Sequence, residues 1–275
     1  MAGLLTIQKG LLRAGSDLPS LQTRAVEKED HFLVNGQKIW TSNAHVADWC
    51  NFLARTDPDA PKTKGLSYFL VDMKTPGITV RPIINMADGH SFNELFFEDV
   101  RVPKENLVGE RNRGWYVATS VLNFERSAIE EAASLRRALD ELVGYVKETK
   151  VNGKPLAKNP LVRHKLAQIA VEIEVARVLS YRVAWMLSKG WVPESEASAA
   201  KLFGTELVAR ASSAAMQIMG LHGQLAPGSK WPRLRGQIGS WYLACVGMLF
   251  GGGSSEVQRN VIAIRGLGLP RVKLG

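Results

Sequence analysis

The spacing of apolar positions changes character once along the chain, near residue 110. Before that point the apolar runs are short and rich in β-branched and aromatic residues, as in strands whose side chains alternate between two faces. His31–Val34 and Gln37–Trp40 flank Asn35-Gly36, a dipeptide suited to a two-residue hairpin turn because both central positions need positive φ. Further strands are predicted at Trp49–Arg55, Leu66–Val71, Ile78–Ile83 and Leu95–Val100. Asp57-Pro58, Pro61, Pro76-Gly77 and Asp88-Gly89 supply turns between them. Several short strands at this spacing predict a small β-barrel or sandwich over residues 1–110.

After Gly114 the period becomes helical. Val117, Val121, Phe124, Ala128, Leu135, Leu139 and Leu142 share one face of a long helix. Val162, Leu166, Ile169, Ile173 and Ala176 mark a second helix after the loop Val151–Pro155, and Ala197, Ala200, Phe203, Leu207 and Ala214 a third. The apolar stretch Trp231–Phe250 reads as helix with a less regular pattern. Ser254–Ala263 opens on a Ser cap with Glu256 in its first turn. Short connections between such helices predict an antiparallel four-helix bundle over residues 111–275. The fold class is therefore α+β, a small β-barrel or sandwich domain followed by the bundle.

Composition narrows the function classes. The 275 residues are 45% hydrophobic and 22% charged, ordinary values for a soluble globular protein. No apolar run approaches the roughly 20 residues of a membrane span, and Met1–Gly10 lacks the pattern of a secretory signal. Cys50 and Cys245 cannot build a disulfide scaffold or a Cys-rich zinc site, and they suit a reducing, cytoplasmic compartment. The net charge of +9 is spread along the chain with acidic residues interleaved, which disfavours a nucleic-acid partner. A solvated surface and a site for a small anion both fit that distribution.

The five histidines show no metal-ligand spacing. No Walker loop is present, and no Gly-x-Gly-x-x-Gly joins a strand to a helix. Gly251-Gly252-Gly253 is either a turn before a helix or a ligand seat. Glu125 sits at the edge of the first helix's apolar face, where partial burial would raise its pKa and make it a base; a salt bridge to Arg126 is the structural alternative.

Five ordered motifs add to this reading: Val34–Asn43, Phe96–Pro103, Asn123–Arg126, Gln217–Gly220 and Gly251–Arg259. Together the chain resembles the acyl-CoA dehydrogenase family from about Ala14 to its end. It is most similar to the actinobacterial branch that ends in the Arg265–Arg271 pattern. The resemblance implies a middle β-domain and a C-terminal four-helix bundle. The family's N-terminal helical domain has no counterpart in it, which points to a truncated chain or one that works with a partner. Gly10–Arg13 stands where the family's Ser/Thr-Glu-Pro-x flavin loop is expected.

Further site assignments follow from the resemblance alone. Trp40 is expected against the isoalloxazine of FAD, with Ser42 near flavin N5 and Thr41 and Asn43 completing the strand. Ser16 is expected on the acyl-CoA thioester tail. Gly252 occupies the position where many members carry the catalytic Glu. A smaller branch places the base directly before an Arg on the first bundle helix, as Glu125-Arg126 does here, with Arg126 beside the substrate. Gln217 and Gly220 match the stretch that reaches the FAD of a neighbouring subunit. The pyrophosphate Arg is not evident, and Lys147, Lys150 and Lys154 are the substitutes at hand. The implied activity is α,β-dehydrogenation of an acyl-CoA to the trans-2-enoyl-CoA, with electrons passing to an electron-transferring flavoprotein. The implied assembly is a homo-oligomer or a hetero-oligomer with a related subunit. A non-catalytic subunit that acts through association is the rival reading.

Overall fold

The computed structural model describes residues 5–7, 15–125 and 129–271, with the backbone alone at 5–7 and 123–125. Contacts divide the chain into two units, Met1–Leu122 and Asn123–Gly275. The first is built on one sheet of β1 (Leu5–Ile7), β2 (Arg24–Glu27), β3 (His31–Ser42), β4 (Trp49–Arg55), β5 (Leu66–Asp72), β6 (Ile78–Ile83), β7 (Phe92–Pro103) and β8 (Leu107–Val108). The strand order is β6-β7-β3-β2-β4-β5-β8, and β1 pairs in parallel with β4. Although β4 and β7 are not neighbours in the sheet, the rings of Phe52 and Phe97 stack with centroids 5.0 Å apart. Phe32 of β3 likewise meets Phe69 of β5 at 5.0 Å. The sheet therefore closes over itself around an aromatic core, the barrel-like architecture that the strand spacing predicts.

β4 and β5 are nearly continuous buried runs because both of their faces are covered. One face lines the aromatic core. On the other, Leu53, Leu66 and Tyr68 pack with Leu21 and with Ala118 of α1 (Gly114–Glu125). Gly114 is required where the helix starts, since a Cβ there would come within 2.4 Å of the Ser67–Tyr68 backbone.

The structure corrects one strand boundary. Asn35-Gly36 is not a hairpin turn: β3 runs unbroken from His31 to Ser42, paired with β7 along its length. Gly36 instead lets β2 approach, because a Cβ at that site would lie 2.8 Å from Thr23 Cα. The hairpin lies at the chain's other Asn-Gly pair. Asn152 and Gly153, at φ 50° and 77°, connect β9 (Lys150–Val151) to β10 (Lys154–Pro155).

The second unit contains α2 (Ile129–Glu148), α3 (Pro160–Ser188), α4 (Glu194–Met219), α5 (Gln237–Met248) and α6 (Ser255–Val261). The long first helix expected over 117–142 corresponds to α1 and α2, with residues 126–128 outside the described residues. Asn159 caps α3 by accepting from the Leu161 N–H, with Pro160 in the first turn. Ser254 caps α6 by accepting from the Val257 N–H. Most of the apolar stripes read from the sequence converge in one core, with Leu135, Leu139 and Leu142 of α2, Val162 through Ala176 of α3, Leu207 of α4 and Ile238 of α5, while Ala197 and Ala200 pack in a separate cluster with Val183.

Lys38 is an exception to the apolar interior of the first unit. It lies on β3, 1% exposed, and its Nζ donates to the Leu53 carbonyl at 2.6 Å. Burial pushes its ammonium from 10.5 down to about 7 and pushes the neighbouring Cys50 thiol from 9.0 up to about 12. From pH 7 to 9 the unfolded chain holds a proton on Lys38 that the folded chain has released, so stability rises with pH. Above pH 9 the unfolded Cys50 loses a proton that the folded chain keeps, which opposes any further gain. Urea midpoints should climb from pH 7 to 9 and then level. Lys38→Met should abolish the climb, and Cys50→Ala should prolong it.

Candidate functional site

The end of β3 has an irregular backbone. Lys38 pairs with Leu95, and the next pair on that side is Thr41 with Asn93. Three steps on β3 thus oppose two on β7, which is a β-bulge on β3. Trp40 lies in the extra step with φ at 63°. Positive φ is a strained state for a bulky aromatic residue, and such strain persists only where the surroundings impose it. The bulge turns the indole outward, so Trp40 is 50% exposed and meets Phe92 edge to face at 6.0 Å. Thr41 then returns to a buried position, Ser42 is half-buried, and the Asn43 N–H donates to the Ser91 carbonyl at 2.9 Å.

Around this segment the structure gathers residues that sequence spacing did not single out. Asn93 is buried beside Thr41, and the rings of His45 and His90 stack 3.9 Å apart at its side. Ser16 is exposed in the turn before Asp17, whose carboxylate accepts from Lys62 Nζ at 2.7 Å. That hydrogen bond, with a second from Ser20, holds the Asp17 carboxyl below its usual range.

In the second unit, Gln217 is exposed near the end of α4 and accepts from Lys165 Nζ of α3. Gly220 closes α4 at φ 56° and ψ −133°, and its N–H donates to the Met216 carbonyl. Nothing lies within 4 Å of the point where a Cβ would stand, so backbone conformation, not crowding, favours glycine at this position. Glu125 is the last residue of α1; its side chain and Arg126 lie outside the described residues. Lys147, Lys150 and Lys154 are exposed around the Asn152-Gly153 hairpin.

Gly251–Gly253 is a fastened turn. Gly252 and Gly253 have φ of 69° and 98°. Lys201, buried on α4, donates to the carbonyls of Gly253 at 2.7 Å and Met248 at 3.4 Å. Gln258 of α6, fully buried, donates to Gly252 O at 3.0 Å and Gly253 O at 3.2 Å. A signal for Lys201 was present in the sequence: it interrupts the apolar stripe that Ala197 and Ala200 begin.

Two family descriptions cover most of this sequence. Residues 12–100 match the acyl-CoA dehydrogenase middle domain, and residues 112–267 match the acyl-CoA dehydrogenase C-terminal domain. The chain belongs to the acyl-CoA dehydrogenase family. Among its relatives, acyl-CoA dehydrogenase FadE26 of Mycobacterium tuberculosis (strain ATCC 25618 / H37Rv) is 38% identical over 265 residues. Acyl-CoA dehydrogenase FadE29 of the same strain is 40% identical over 261 residues. In both cases the match covers 94% of this chain but only 66% of the relative. Among solved structures, the Tcur3481-Tcur3483 steroid ACAD gives a TM-score of 0.88 at 34% identity, covering 98% of this chain and 68% of that one. The ChsE4-ChsE5 complex from Mycobacterium tuberculosis gives 0.87 at 36% identity, covering 98% and 69%.

The strain at Trp40 of this acyl-CoA dehydrogenase chain is open to measurement. A left-handed residue other than glycine costs about 1–2 kcal/mol, so Trp40→Gly should lose little or no stability against urea. Trp49→Gly is the control, since Trp49 lies in β4 with no positive φ; it should destabilise by more than about 1 kcal/mol. Equal losses in the two variants would show that the bulge stores no strain.

Proposed function

We propose that this chain takes part in the α,β-dehydrogenation of an acyl-CoA thioester in the cytoplasm, with FAD as cofactor and an electron-transferring flavoprotein as acceptor. The observation that carries the reading is Trp40, held at positive φ with its indole turned outward beside Thr41 and Ser42. A strained bulge that re-aims one side chain is characteristic of a functional segment. The residues fit the cofactor at both ends. Trp40 offers a ring face to the isoalloxazine, and Gln217 with the open backbone at Gly220 suits the nucleotide end of a neighbouring subunit's FAD. Lys147, Lys150 and Lys154 stand in for the pyrophosphate Arg, as point charges where a guanidinium would bind through two bonds.

FAD, when bound, supplies the acceptor for the β-hydride. Glu125 takes the α-proton on its carboxylate, with Arg126 adjoining, while Ser16 holds the thioester tail. The α-proton of a thioester is weakly acidic, so the reaction needs fixed donors at the thioester carbonyl and a site closed to water. Gly252 carries no side chain, which leaves proton abstraction to the residue on α1.

A second reading, a subunit that acts through association, is favoured by one observation: two of its structural neighbours are named as pairs of chains. An apolar stripe on α3 supports assembly under either reading. Val171, Val178, Tyr181 and Trp185 are 66%, 58%, 54% and 49% exposed on the face opposite Ile173 and Ala176. Contiguous exposed apolar surface of this kind marks a partner-binding face. Sedimentation should show an oligomer at micromolar concentration, and Val178→Glu should lower its mass; a monomeric wild type would contradict assembly through a second copy.

For catalysis, purified protein should take up FAD in equilibrium dialysis and absorb in the blue. Glu125→Gln should keep that uptake while lowering turnover at least ~100-fold. Gly252→Glu in the Glu125→Gln background should restore part of the activity. It should also cost about 1–2 kcal/mol of stability because Gly252 has φ of 69°. FAD uptake with no turnover in the wild type selects the association reading, and turnover undiminished in Glu125→Gln removes that residue as base.

A further inference from the structure

The two bulges of the β3–β7 ladder are each closed by an asparagine side chain. Between Val34 and Gly36, β7 carries the extra residue and Asp99 has φ of 50°. Asn35 closes that bulge from the opposite strand: its Nδ2 donates to Asp99 Oδ1 at 2.9 Å and its Oδ1 accepts from the Asp99 N–H at 2.9 Å. At the second bulge the roles of the strands are exchanged. β3 carries the extra residue, and Asn93 of β7 donates through Nδ2 to the carbonyl of Thr41 at 3.2 Å, directly after Trp40.

Unlike Asn35, Asn93 is itself held by two further groups. Its Nδ2 also donates to His45 Nδ1 at 3.3 Å, and its Oδ1 accepts from His90 Nε2 at 2.8 Å. A primary amide has two N–H groups, and both are spent on acceptors. His45 Nδ1 must therefore be bare, with its proton on Nε2, while His90 must carry a proton on Nε2. The hydrogen bonds then run one way, from His90 through Asn93 to His45 and Thr41. The imidazoles stack at 3.9 Å with an interplanar angle of 19°. Both histidines are exposed, in the loops that follow β3 and precede β7. Among the described residues their side-chain hydrogen bonds run to Asn93, so they fix its amide rather than fill a core.

We propose that Asn93, locked by the stacked His45–His90 pair, is the positioning residue that holds Trp40–Ser42 in its bulged form. The bulge removes regular ladder hydrogen bonds where the backbone is most strained, and the Asn93–Thr41 bond replaces one of them. Its catalytic consequence rests on the flavin reading above: an indole that leaves the bulged conformation no longer presents its face to the cofactor. The clamp itself is a property of the chain without cofactor.

The test uses the full chain labelled with ¹⁵N, with the Trp40 indole signal assigned by Trp40→Phe, and FAD affinity measured alongside. Asn93→Leu and His45→Leu should both shift or broaden the Trp40 indole and the Thr41–Asn43 amide signals. Both should weaken FAD binding about tenfold or more, as expected for the loss of buried hydrogen bonds. His45→Asn places an acceptor oxygen where Nδ1 stands and should behave as wild type in both measurements. Unchanged Trp40 signals in Asn93→Leu overturn the clamp. If that variant fails to fold, the surface pair His45→Leu and His45→Asn decides: equal behaviour of the two overturns the proposal, and rescue by Asn supports it. A wild type that takes up no FAD defeats the flavin reading, while the indole and amide signals still decide the clamp.

Discussion

Pairing two twelve-residue strands along their whole length is the constraint on which the first unit depends. β3 and β7 start in register at His31 and Pro103 and finish in register at Ser42 and Phe92. Between those ends each strand gains one residue over the other, first β7 at Asp99 and then β3 at Trp40. A single bulge would leave the remaining pairs out of phase, and side chains meant for the core would face outward. The second bulge restores the phase, which returns Thr41 and Asn93 to the interior, both at 0% exposure. Trp40 is the residue displaced in restoring it. Its strained backbone and outward indole follow from the pairing, and the ring of the proposed flavin platform is thereby positioned by the longest ladder in the sheet.

The same constraint explains what could be read from the sequence and what could not. Strand positions, the helical stripes and the caps at Asn159 and Ser254 depend on local periodicity and local hydrogen bonds, and the apolar pattern carries them directly. Asn35-Gly36 and Asn152-Gly153 are the same dipeptide with different outcomes. The second pair reverses the chain between two short strands that have only each other. The first sits where both flanking segments pair with β7, so the chain continues straight and the glycine serves the approach of Thr23. A local turn preference cannot register a partner strand that lies some sixty residues further along the chain.

The candidate site divides in the same way. Trp40, Thr41, Ser42, Gln217 and Gly220 form short contiguous motifs and are visible as such. Asn93, His45 and His90 form a cluster only because the register places Asn93 opposite Thr41, and no spacing rule joins them. Lys38 and Lys201 are intermediate cases. Each is a charged residue at a position where strand alternation or a helical stripe calls for an apolar one, a conflict of the sort that marks a constrained site.

Those two lysines are accommodated by different physics. Lys38 has one carbonyl partner and a neighbouring thiol that burial keeps protonated, so its ammonium is disfavoured and its pKa falls to about 7. Lys201 lies where the last turn of α5 and the glycine turn both present carbonyl oxygens, and a cation there complements the negative end of the helix. Gln258 adds two further donors to the same turn. Three glycines in sequence would ordinarily give a slack connection, but here two of their carbonyls are tied inward by buried side chains. The turn is fixed by groups beneath it, and no side chain of its own fills the space above its backbone. A chain built this way keeps Gly252 ordered without a side chain of its own, which is the physical condition that the proposed reading, with Glu125 as base, sets at that position.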